Sequence, residues 1–233
     1  MCGRKTLTRD IQSIIEELLI REWEDPDQFT PSYNIAPTQF SPVLIYENGS
    51  RIVKNMKWGL IPSWAKDKTI GSKLINARSE TILEKPSFQS LISQNRCVII
   101  TDGYYEWKKS VKNKERQPIY IYKKKVGLLN MAGLWSEWVS STGEKLFTYT
   151  VITTTPKKTI EHIHNRMPVI LQPEGLDTWI NSNKSQIHEA LDLLIPFKGE
   201  LNYHPVSTIV NSPQNNSPAC ISPFNQNSTL DIF

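Results

Sequence analysis

Apolar residues near the start of the chain recur at helical spacing. Between residues 10 and 23 they stand at Ile11, Ile14, Ile15, Leu18, Leu19 and Trp23. This periodicity predicts an amphipathic helix, with Asp10 placed to cap its N-terminus. Asp25-Pro26-Asp27 then ends the pattern, because Pro and Asp favour turns over continued helix.

The rest of the chain shows short apolar runs separated by turn residues. Residues 43–46 and 51–58, joined by Asn48-Gly49, predict a β-hairpin, since Asn-Gly readily adopts the positive φ angles of a tight turn. Further strands are predicted at 97–107 (with a turn at 102–103), 117–123, 128–138, 146–155, 169–171 and 200–206, a basic hairpin at 108–116, and helices at 156–163, 174–181 and 185–194. Residues 58–64 are too rich in Gly, Pro and Trp for a regular element, and residues 76–80 are predicted to form a loop that enters a short helix.

The order of these elements indicates the fold class. Strands linked by short turns, and interrupted by helices rather than alternating with them, predict an α+β fold with a mostly antiparallel sheet. No internal repeat or shift in composition divides the 233 residues, so we expect a single domain with a sizeable core. The segment from Asn211 onward is rich in Pro, Asn, Ser and Gln, and it is expected to be irregular with little to bury.

Composition narrows the class of protein. No apolar run approaches the ~20 residues that span a bilayer, and no signal peptide opens the chain. The cysteines, Cys2, Cys97 and Cys220, are odd in number and lie outside any CxxC pattern, which argues against a disulfide framework or structural zinc. We therefore expect a reduced, cytoplasmic protein without a metal. A net charge of +4 is compatible with a polyanionic partner without identifying one.

Cys2 is the residue with the most distinctive chemistry. Removal of Met1 would leave Cys2 with an α-amine and a thiol on adjacent carbons. An α-amine has a pKa of about 7.7–8.0, so part of it is nucleophilic at neutral pH. The amine can form a Schiff base with an aldehyde, and the thiol can then close a five-membered thiazolidine. Arg4 is placed to favour the thiolate. The alternative is that Cys2 is an incidental residue at an untidy terminus.

Four further polar residues are candidates for chemistry. Asn76 and Arg78 lie close together after an apolar residue. Glu106 stands between two aromatic residues at the end of a buried strand, where a raised pKa would suit a general acid–base; the alternative is a strand-end carboxylate in solvent. His164 precedes Arg166-Met167-Pro168, and the alternative for it is a structural histidine.

Basic and aromatic residues also allow nucleic-acid binding. Arg4, Arg78 and Arg166 are candidates for phosphate contacts. Trp58, Trp64 and Tyr104 offer planes for base stacking, and Trp64, in a Pro-flanked loop, is the strongest of these. The alternative is core packing, which we expect for Trp135, Trp138 and Trp179, and the basic run at 108–116 is most simply a solvated hairpin.

Several motifs occur together in one order. They are Met1-Cys2-Gly3-Arg4, Tyr33-Asn34-Ile35-Ala36-Pro37, Trp58-Gly59-Leu60-Ile61-Pro62, Asn76-Ala77-Arg78-Ser79-Glu80-Thr81, Arg96-Cys97, Asp102-Gly103-Tyr104-Tyr105-Glu106-Trp107 and His164-Asn165-Arg166-Met167-Pro168. In this combination the chain resembles the SOS response-associated peptidase (SRAP) family, the abasic-site-processing proteins. The resemblance covers roughly residues 1–222 as one domain and leaves residues 223–233 as an irregular tail.

The resemblance implies an antiparallel sheet curled towards a barrel, flanked by helices, with a basic groove for single-stranded DNA. It implies loss of Met1 and a covalent thiazolidine between Cys2 and the ring-opened sugar of an abasic site, which shields the lesion during the DNA damage response. It assigns catalytic roles to Cys2, Asn76, Glu106 and His164, and DNA contacts to Arg4, Asn34, Pro37, Trp64, Arg78 and Arg166. Lyase-type activity, a monomer associated with the nucleoid after damage, and no metal or organic cofactor are also expected.

Two other functions stay open at this point. One is an autoprocessing cysteine peptidase in which Cys2, with His164 or Glu106, cleaves the bond after Met1. The other is a non-catalytic reader of single-stranded or modified DNA. Covalent capture of abasic DNA separates both from the main prediction, because a reader binds only reversibly and in a salt-sensitive manner.

Overall fold

The protein is described by a computed structural model that covers residues 2–109, 116–181 and 187–224. The strands are β1 (Lys5–Leu7), β2 (Glu22–Trp23), β3 (Ser32–Ile35), β4 (Phe40–Glu47), β5 (Ser50–Trp58), β6 (Asn76–Arg78), β7 (Arg96–Ile99), β8 (Gly103–Lys109), β9 (Arg116–Lys123), β10 (Asn130–Val139), β11 (Lys145–Thr154), β12 (Met167–Pro168), β13 (Ile170–Leu171) and β14 (Leu201–Pro205). The α-helices are α1 (Ile11–Leu18), α2 (Pro86–Gln89), α3 (Leu176–Ile180) and α4 (Ile187–Asp192).

The strands form two sheets, one of which closes on itself. The larger sheet runs β12-β11-β10-β7-β4-β5-β2, and an additional pairing of β5 with β11 joins β4, β5, β11, β10 and β7 into a ring. The smaller sheet runs β14-β9-β8-β1-β3. The pairings of β5 with β2 and β11 and of β6 with β11 are parallel, whereas the other strand pairings in the described residues are antiparallel. This confirms the predicted single α+β domain with a mostly antiparallel, curled sheet.

The two faces of the smaller sheet pack against different parts of the protein. Successive side chains of a strand point to opposite faces. On one face Leu7, Tyr104 and Ile121 belong to the main apolar core shared with the closed sheet. On the other face Tyr105 and Tyr120 belong to a second cluster with Val206, Val210 and Cys220. We call these the inner face and the outer face.

The predicted N-terminal helix and hairpin are present, and the helix is shorter than its periodicity suggested. The carboxylate of Asp10 accepts the backbone N–H of Ser13, as predicted for an N-cap. The helix ends at Leu18 because Leu19 adopts a left-handed conformation at φ 50°, and Trp23 pairs with β5 as part of a strand. Asn48-Gly49 connects β4 to β5 with positive φ angles of 50° and 78°.

Several predicted elements differ from the structure. Residues 76–78 are the strand β6 rather than a loop, and residues 156–163 form turns rather than a helix. The single run 97–107 divides into β7 and β8, which lie in different sheets, because Gly103 pairs with β1 after the turn. The turn of the basic hairpin, residues 110–115, the start of the predicted helix at 185–194 and the end of the tail, residues 225–233, lie outside the described residues.

The C-terminal segment was expected to bury little, and this was wrong for its first part. Residues 206–221 cover the outer face, and the side chain of Cys220 is fully buried there. The side-chain amide of Asn34 donates to the carbonyl oxygens of Val210, Ser212 and Asn215 at 3.2, 2.9 and 2.7 Å. A polar segment is thus held by backbone hydrogen bonds, which composition alone does not reveal.

Among the described residues, none of the helices has the length and apolar character that crossing a membrane requires.

Candidate active site

Cys2 lies inside the protein, separated from the start of β1 by Gly3 and Arg4. Its side chain has no exposed surface and belongs to the main core. Burial raises the pKa of the Cys2 thiol to about 12, because the thiolate is disfavoured in an apolar interior, and the negative charge of Glu106 adds to this effect. The thiol is therefore protonated at neutral pH. Arg4 does favour the thiolate, but weakly and through its backbone hydrogen bond, which lowers the pKa of the thiol. Its guanidinium, the group expected to do so, is bonded to Asn34 and to the Val210 carbonyl instead.

Asn76 is held against Cys2 by the short strand β6. Asn76 pairs with Val151 of β11, and Ala77 packs into the core, so the Asn76 and Arg78 side chains point to the opposite side. The Asn76 Nδ2 donates to the backbone carbonyl of Cys2 at 2.9 Å. Its Oδ1 is buried and accepts no hydrogen bond from the described residues. Asn76 thus holds the Cys2 backbone and keeps an acceptor available beside it.

Glu106 projects from β8 on the inner face, two residues after Tyr104. The residue is only 2% exposed, so the alternative of a solvent-facing carboxylate is wrong. Burial raises the pKa of Glu106 to about 7, and the positive charge of the amino terminus opposes this effect. A carboxyl that titrates near neutral pH can both donate and accept protons under physiological conditions.

His164 faces Glu106 from the loop between β11 and β12. Its Nδ1 lies 3.1 Å from the backbone N–H of Arg166 and 3.3 Å from the Arg166 carbonyl oxygen, so both of its backbone contacts are with one residue. Its Nε2 lies 3.9 Å from the Glu106 Oε2. Partial burial lowers the pKa of His164, and the positive charges of the amino terminus, Arg116 and Lys109 add to the lowering. The imidazole is therefore neutral at pH 7 and faces the carboxyl through its Nε2.

These four side chains converge from separate parts of the chain. They come from the N-terminus, β6, β8 and the loop after β11: Cys2, Asn76, Glu106 and His164. The arrangement contains a buried thiol, a carboxamide that holds the Cys2 backbone, and a carboxyl and an imidazole that can transfer protons. No group of three or more His, Cys, Asp or Glu side chains placed to hold a metal ion occurs in the part of the chain that the structure describes.

The predicted DNA contacts of Arg4 and Asn34 do not fit the geometry. The Arg4 Nη1 donates to the Asn34 Oδ1 at 2.7 Å and to the Val210 carbonyl at 2.6 Å, and its guanidinium lies 5.7 Å from the ring centre of Trp107. Arg4 is 8% exposed and Asn34 1% exposed. Both side chains join the outer face to the C-terminal segment. Arg4 directly precedes β1, and because successive side chains alternate, it points away from the inner face that Lys5 occupies.

The other two arginines differ in their availability. Arg166 forms two hydrogen bonds with the Glu80 carboxylate, at 2.7 and 2.9 Å, and donates to the Thr153 carbonyl at 2.6 Å. A phosphate would have to compete with Glu80 for this guanidinium. Arg78 is exposed at the end of β6, two residues from Asn76, and its side chain forms no hydrogen bond within the described residues. Arg78 is therefore the predicted arginine best placed to meet a phosphate.

The aromatic residues proposed to stack with bases also differ in their exposure. Trp58 and Tyr104 are fully buried, so the prediction that they stack with bases was wrong. Trp64 is 60% exposed in the loop after β5 and offers an open ring. Pro37 is half-buried in the turn after β3, and the next residue, Thr38, donates its N–H to the Trp58 carbonyl at 2.8 Å. The role of Pro37 and Trp64 in DNA binding stays a prediction.

Sequence reasoning missed other residues around this site. Lys5 is fully buried on the inner face, although no strand was predicted for residues 5–7. The Tyr104 hydroxyl is buried and forms no hydrogen bond within the described residues. Lys109 and Arg116, which pair at the described end of the β8–β9 hairpin, act electrostatically on His164. Their charges were visible in the basic run, but its proximity to His164 depends on tertiary folding.

Fold and site together define a class of small α+β proteins in which a cysteine at position 2 is buried beside a carboxyl, an imidazole and a carboxamide. The model of the SOS response associated peptidase (SRAP) family matches residues 1–213, and the chain belongs to this family. The resemblance inferred from the motifs is thereby confirmed.

Known relatives extend over most of the chain. It is 41% identical to the abasic site processing protein YoqW of Bacillus subtilis over 222 residues, which cover 95% of this chain and 99% of that protein. It is 36% identical to the abasic site processing protein HMCES of Rattus norvegicus, covering 96% of this chain and 76% of the relative. A crystal structure of a Bacteroides thetaiotaomicron protein matches with a TM-score of 0.83 at 27% identity, over 96% of this chain and all of that one.

Proposed function

We propose that this protein processes abasic sites in single-stranded DNA by forming a covalent thiazolidine between Cys2 and the ring-opened sugar, after Met1 has been removed. The relatives named abasic site processing proteins support the substrate. The convergence of Asn76, Glu106 and His164 around Cys2 supports the chemistry. We take residues 1–222 as the functional domain, acting as a monomer without a cofactor.

The observation that carries the proposal is the position of Cys2. An α-amine and a thiol on one residue would be of little use on a frayed terminus, but here the backbone carbonyl of Cys2 is fixed by Asn76 and its side chain is enclosed. Fixing the nucleophile in this way replaces a random encounter by an oriented one. The available Asn76 Oδ1 is suited to accept an N–H of the α-amine that appears when Met1 is lost.

Glu106 and His164 supply the proton transfers that this reaction needs. Glu106, with a pKa of about 7, donates a proton to the ring oxygen as the sugar hemiacetal opens to the aldehyde. The amine of Cys2 then adds to the aldehyde carbon, and water leaves as the imine forms. The His164 Nε2, 3.9 Å from the Glu106 Oε2, is placed to hydrogen-bond the hydroxyl that ring opening releases. Attack of sulfur on the imine carbon completes the five-membered ring.

DNA binding is proposed for exposed basic groups near the site and for the exposed ring of Trp64. The Arg78 side chain is exposed two residues after Asn76. Lys109 and Arg116, on the β8–β9 hairpin, are close enough to His164 to lower its pKa through their positive charges. Positive charges of this kind neutralise phosphates and release counterions. Trp64 is proposed as a base-stacking plane. An abasic nucleotide has no base to unstack, so its entry into a narrow site costs little.

The test is incubation of the processed protein with an abasic single-stranded oligonucleotide, followed by heat denaturation. We expect a heat-stable crosslink for the wild type, none for Cys2→Ala, and a more labile adduct for Cys2→Ser, which keeps the amine and loses the sulfur. Cys220→Ala is the matched control, because Cys220 is an equally buried thiol on the outer face, away from the site. A heat-stable crosslink on Cys2→Ala would refute the proposal, and reversible binding alone by the wild type would indicate a DNA reader.

A further inference from the structure

Lys5 carries a buried amine on the inner face of the smaller sheet, the face from which Glu106 also projects. It pairs with Tyr104 across the β1–β8 ladder, and directly opposed residues of a ladder have their side chains on the same face. Glu106, two residues after Tyr104, shares that face. Lys5 is fully buried, as are Cys2 and Tyr104. The register alone therefore brings an amine, a phenol and a carboxyl to one face of the sheet.

The surroundings of Lys5 do not match those of a structural lysine. A buried ammonium is normally paired with a carboxylate and its protons are hydrogen-bonded. Within the described residues the Lys5 Nζ forms no ion pair, and its hydrogen bond is one long contact of 3.4 Å to the Ile100 carbonyl. Its partner across the β1–β3 ladder is the buried apolar residue Ile35. Such a site favours the neutral amine, which is a base.

The charged and titratable groups that act on Lys5 are few. Cys2 and Asp102 interact with it electrostatically, and Tyr104 and Glu106 stand on the neighbouring strand. Asp102 is itself engaged by the Thr6 hydroxyl and by the N–H and hydroxyl of Thr8. Burial lowers the pKa of Lys5 to about 7, and Cys2 and Asp102 oppose this lowering. The same burial holds the Cys2 thiol in its protonated form.

Resting on the proposed function, we propose that Lys5 accepts the proton of the Cys2 thiol when the thiazolidine ring closes. In that step the S–H proton moves to the lone pair of the Lys5 Nζ, the sulfur forms a bond to the imine carbon, and the carbon–nitrogen π electrons return to the Cys2 nitrogen. No oxidant or reductant is needed. This proton transfer is needed at this site, because a buried thiol does not ionise unaided at neutral pH and the sulfur must lose its proton to close the ring.

The experiment separates imine formation from ring closure in the processed protein. Borohydride reduces the open imine to a stable amine, and this trapping does not need the thiol, whereas the crosslink formed without borohydride requires sulfur. For Lys5→Met, which keeps the length and removes the base, we expect an unchanged borohydride-trapped yield and a spontaneous crosslink that forms at least about tenfold more slowly near pH 7. Lys123→Met, at a half-buried lysine of the same sheet, is the control and should match the wild type.

A second measurement does not depend on how the variant folds. In the wild type, the rate of ring closure, followed after the imine has formed, should rise with pH between about 6 and 8 as Lys5 loses its proton. Equal spontaneous rates for Lys5→Met and the wild type, or a ring-closure rate that is flat across this range, would overturn the role of Lys5. Absence of both borohydride-trapped and spontaneous adducts in the wild type would instead refute the proposed function itself.

Discussion

Replacing Glu106 by Gln should change the pH dependence of stability in a defined direction. The pKa of Glu106 is about 7 in the folded protein, against an ordinary value of 4.5. A carboxyl whose pKa is higher in the folded state binds its proton more tightly there, so its ionisation destabilises the fold. The wild type should therefore lose stability as the pH rises from about 4.5 through about 7, and this loss should be complete above that range.

The size of the effect follows from the shift. At about 1.4 kcal/mol per pKa unit, moving this pKa from 4.5 to about 7 corresponds to about 3 kcal/mol. Because Gln has a similar shape and no charge, Glu106→Gln should be close to the wild type in stability near pH 5 and more stable by about 3 kcal/mol near pH 8. The carboxyl is only 2% exposed, so solvent screening reduces this figure little.

The assay is urea unfolding of both proteins at several pH values, with the difference in unfolding free energy plotted against pH. Taking the difference removes the contributions of Lys5 and His164, which titrate in both proteins, and the Cys2 thiol, with a pKa of about 12, stays protonated over this range. Glu84→Gln, at an exposed carboxylate, is the control and should show no such rise. A difference that stays constant from about pH 5 to about pH 8 would refute the view that Glu106 is buried with a raised pKa. The variant should also crosslink abasic DNA more slowly, since it cannot transfer a proton.

Further substitutions test the roles of individual groups. Arg78→Ala should weaken DNA binding and reduce the log–log salt slope by about one, measured by fluorescence anisotropy, and an unchanged slope would remove Arg78 from the interface. Arg4→Met should leave the slope unchanged but lower the unfolding free energy by about 1–3 kcal/mol, because it leaves the buried Asn34 and Val210 oxygens with one donor fewer. Lys5→Met should stabilise the protein by up to about 4 kcal/mol at pH 7 or below, a gain that disappears as the pH approaches 10.5; equal stability at all pH values would contradict a buried amine. Asn76→Ala should slow crosslinking without changing reversible binding, and an unaltered crosslinking rate would show that the clamp on Cys2 is dispensable.

The sequence predicted those parts of the fold that depend on local pattern. The Asp10 cap, the Asn48-Gly49 hairpin and the long β10–β11 pair follow from spacing and turn chemistry. The helix expected at 156–163 failed because its residues form turns between β11 and β12. Strand β6 was missed because its three residues are stabilised by pairing with β11, and such a pairing has no signature in a short segment.

The sequence named the residues of the candidate site, whose catalytic roles stay predictions, but it did not reveal which way the neighbouring side chains point. Motifs identified Cys2, Asn76, Glu106 and His164, and these side chains do come together. Whether a side chain in or next to β1 faces the candidate site or the C-terminal segment depends on the strand register. Arg4 therefore looked like a phosphate ligand and instead joins the outer face to the C-terminal segment, whereas Lys5, an ordinary surface residue by type, lies fully buried on the inner face.

The most direct test of the central claim is intact mass spectrometry of the protein before and after incubation with abasic single-stranded DNA. If Met1 is retained, the Cys2 nitrogen is an amide whose lone pair is delocalised, and it cannot form an imine. We predict that the crosslinked species lacks Met1 and that its added mass equals that of the DNA minus one water. An extension ahead of Cys2 should prevent the crosslink, and its removal should restore it. A stable adduct on chains that still carry Met1 would contradict the account and place the nucleophile elsewhere.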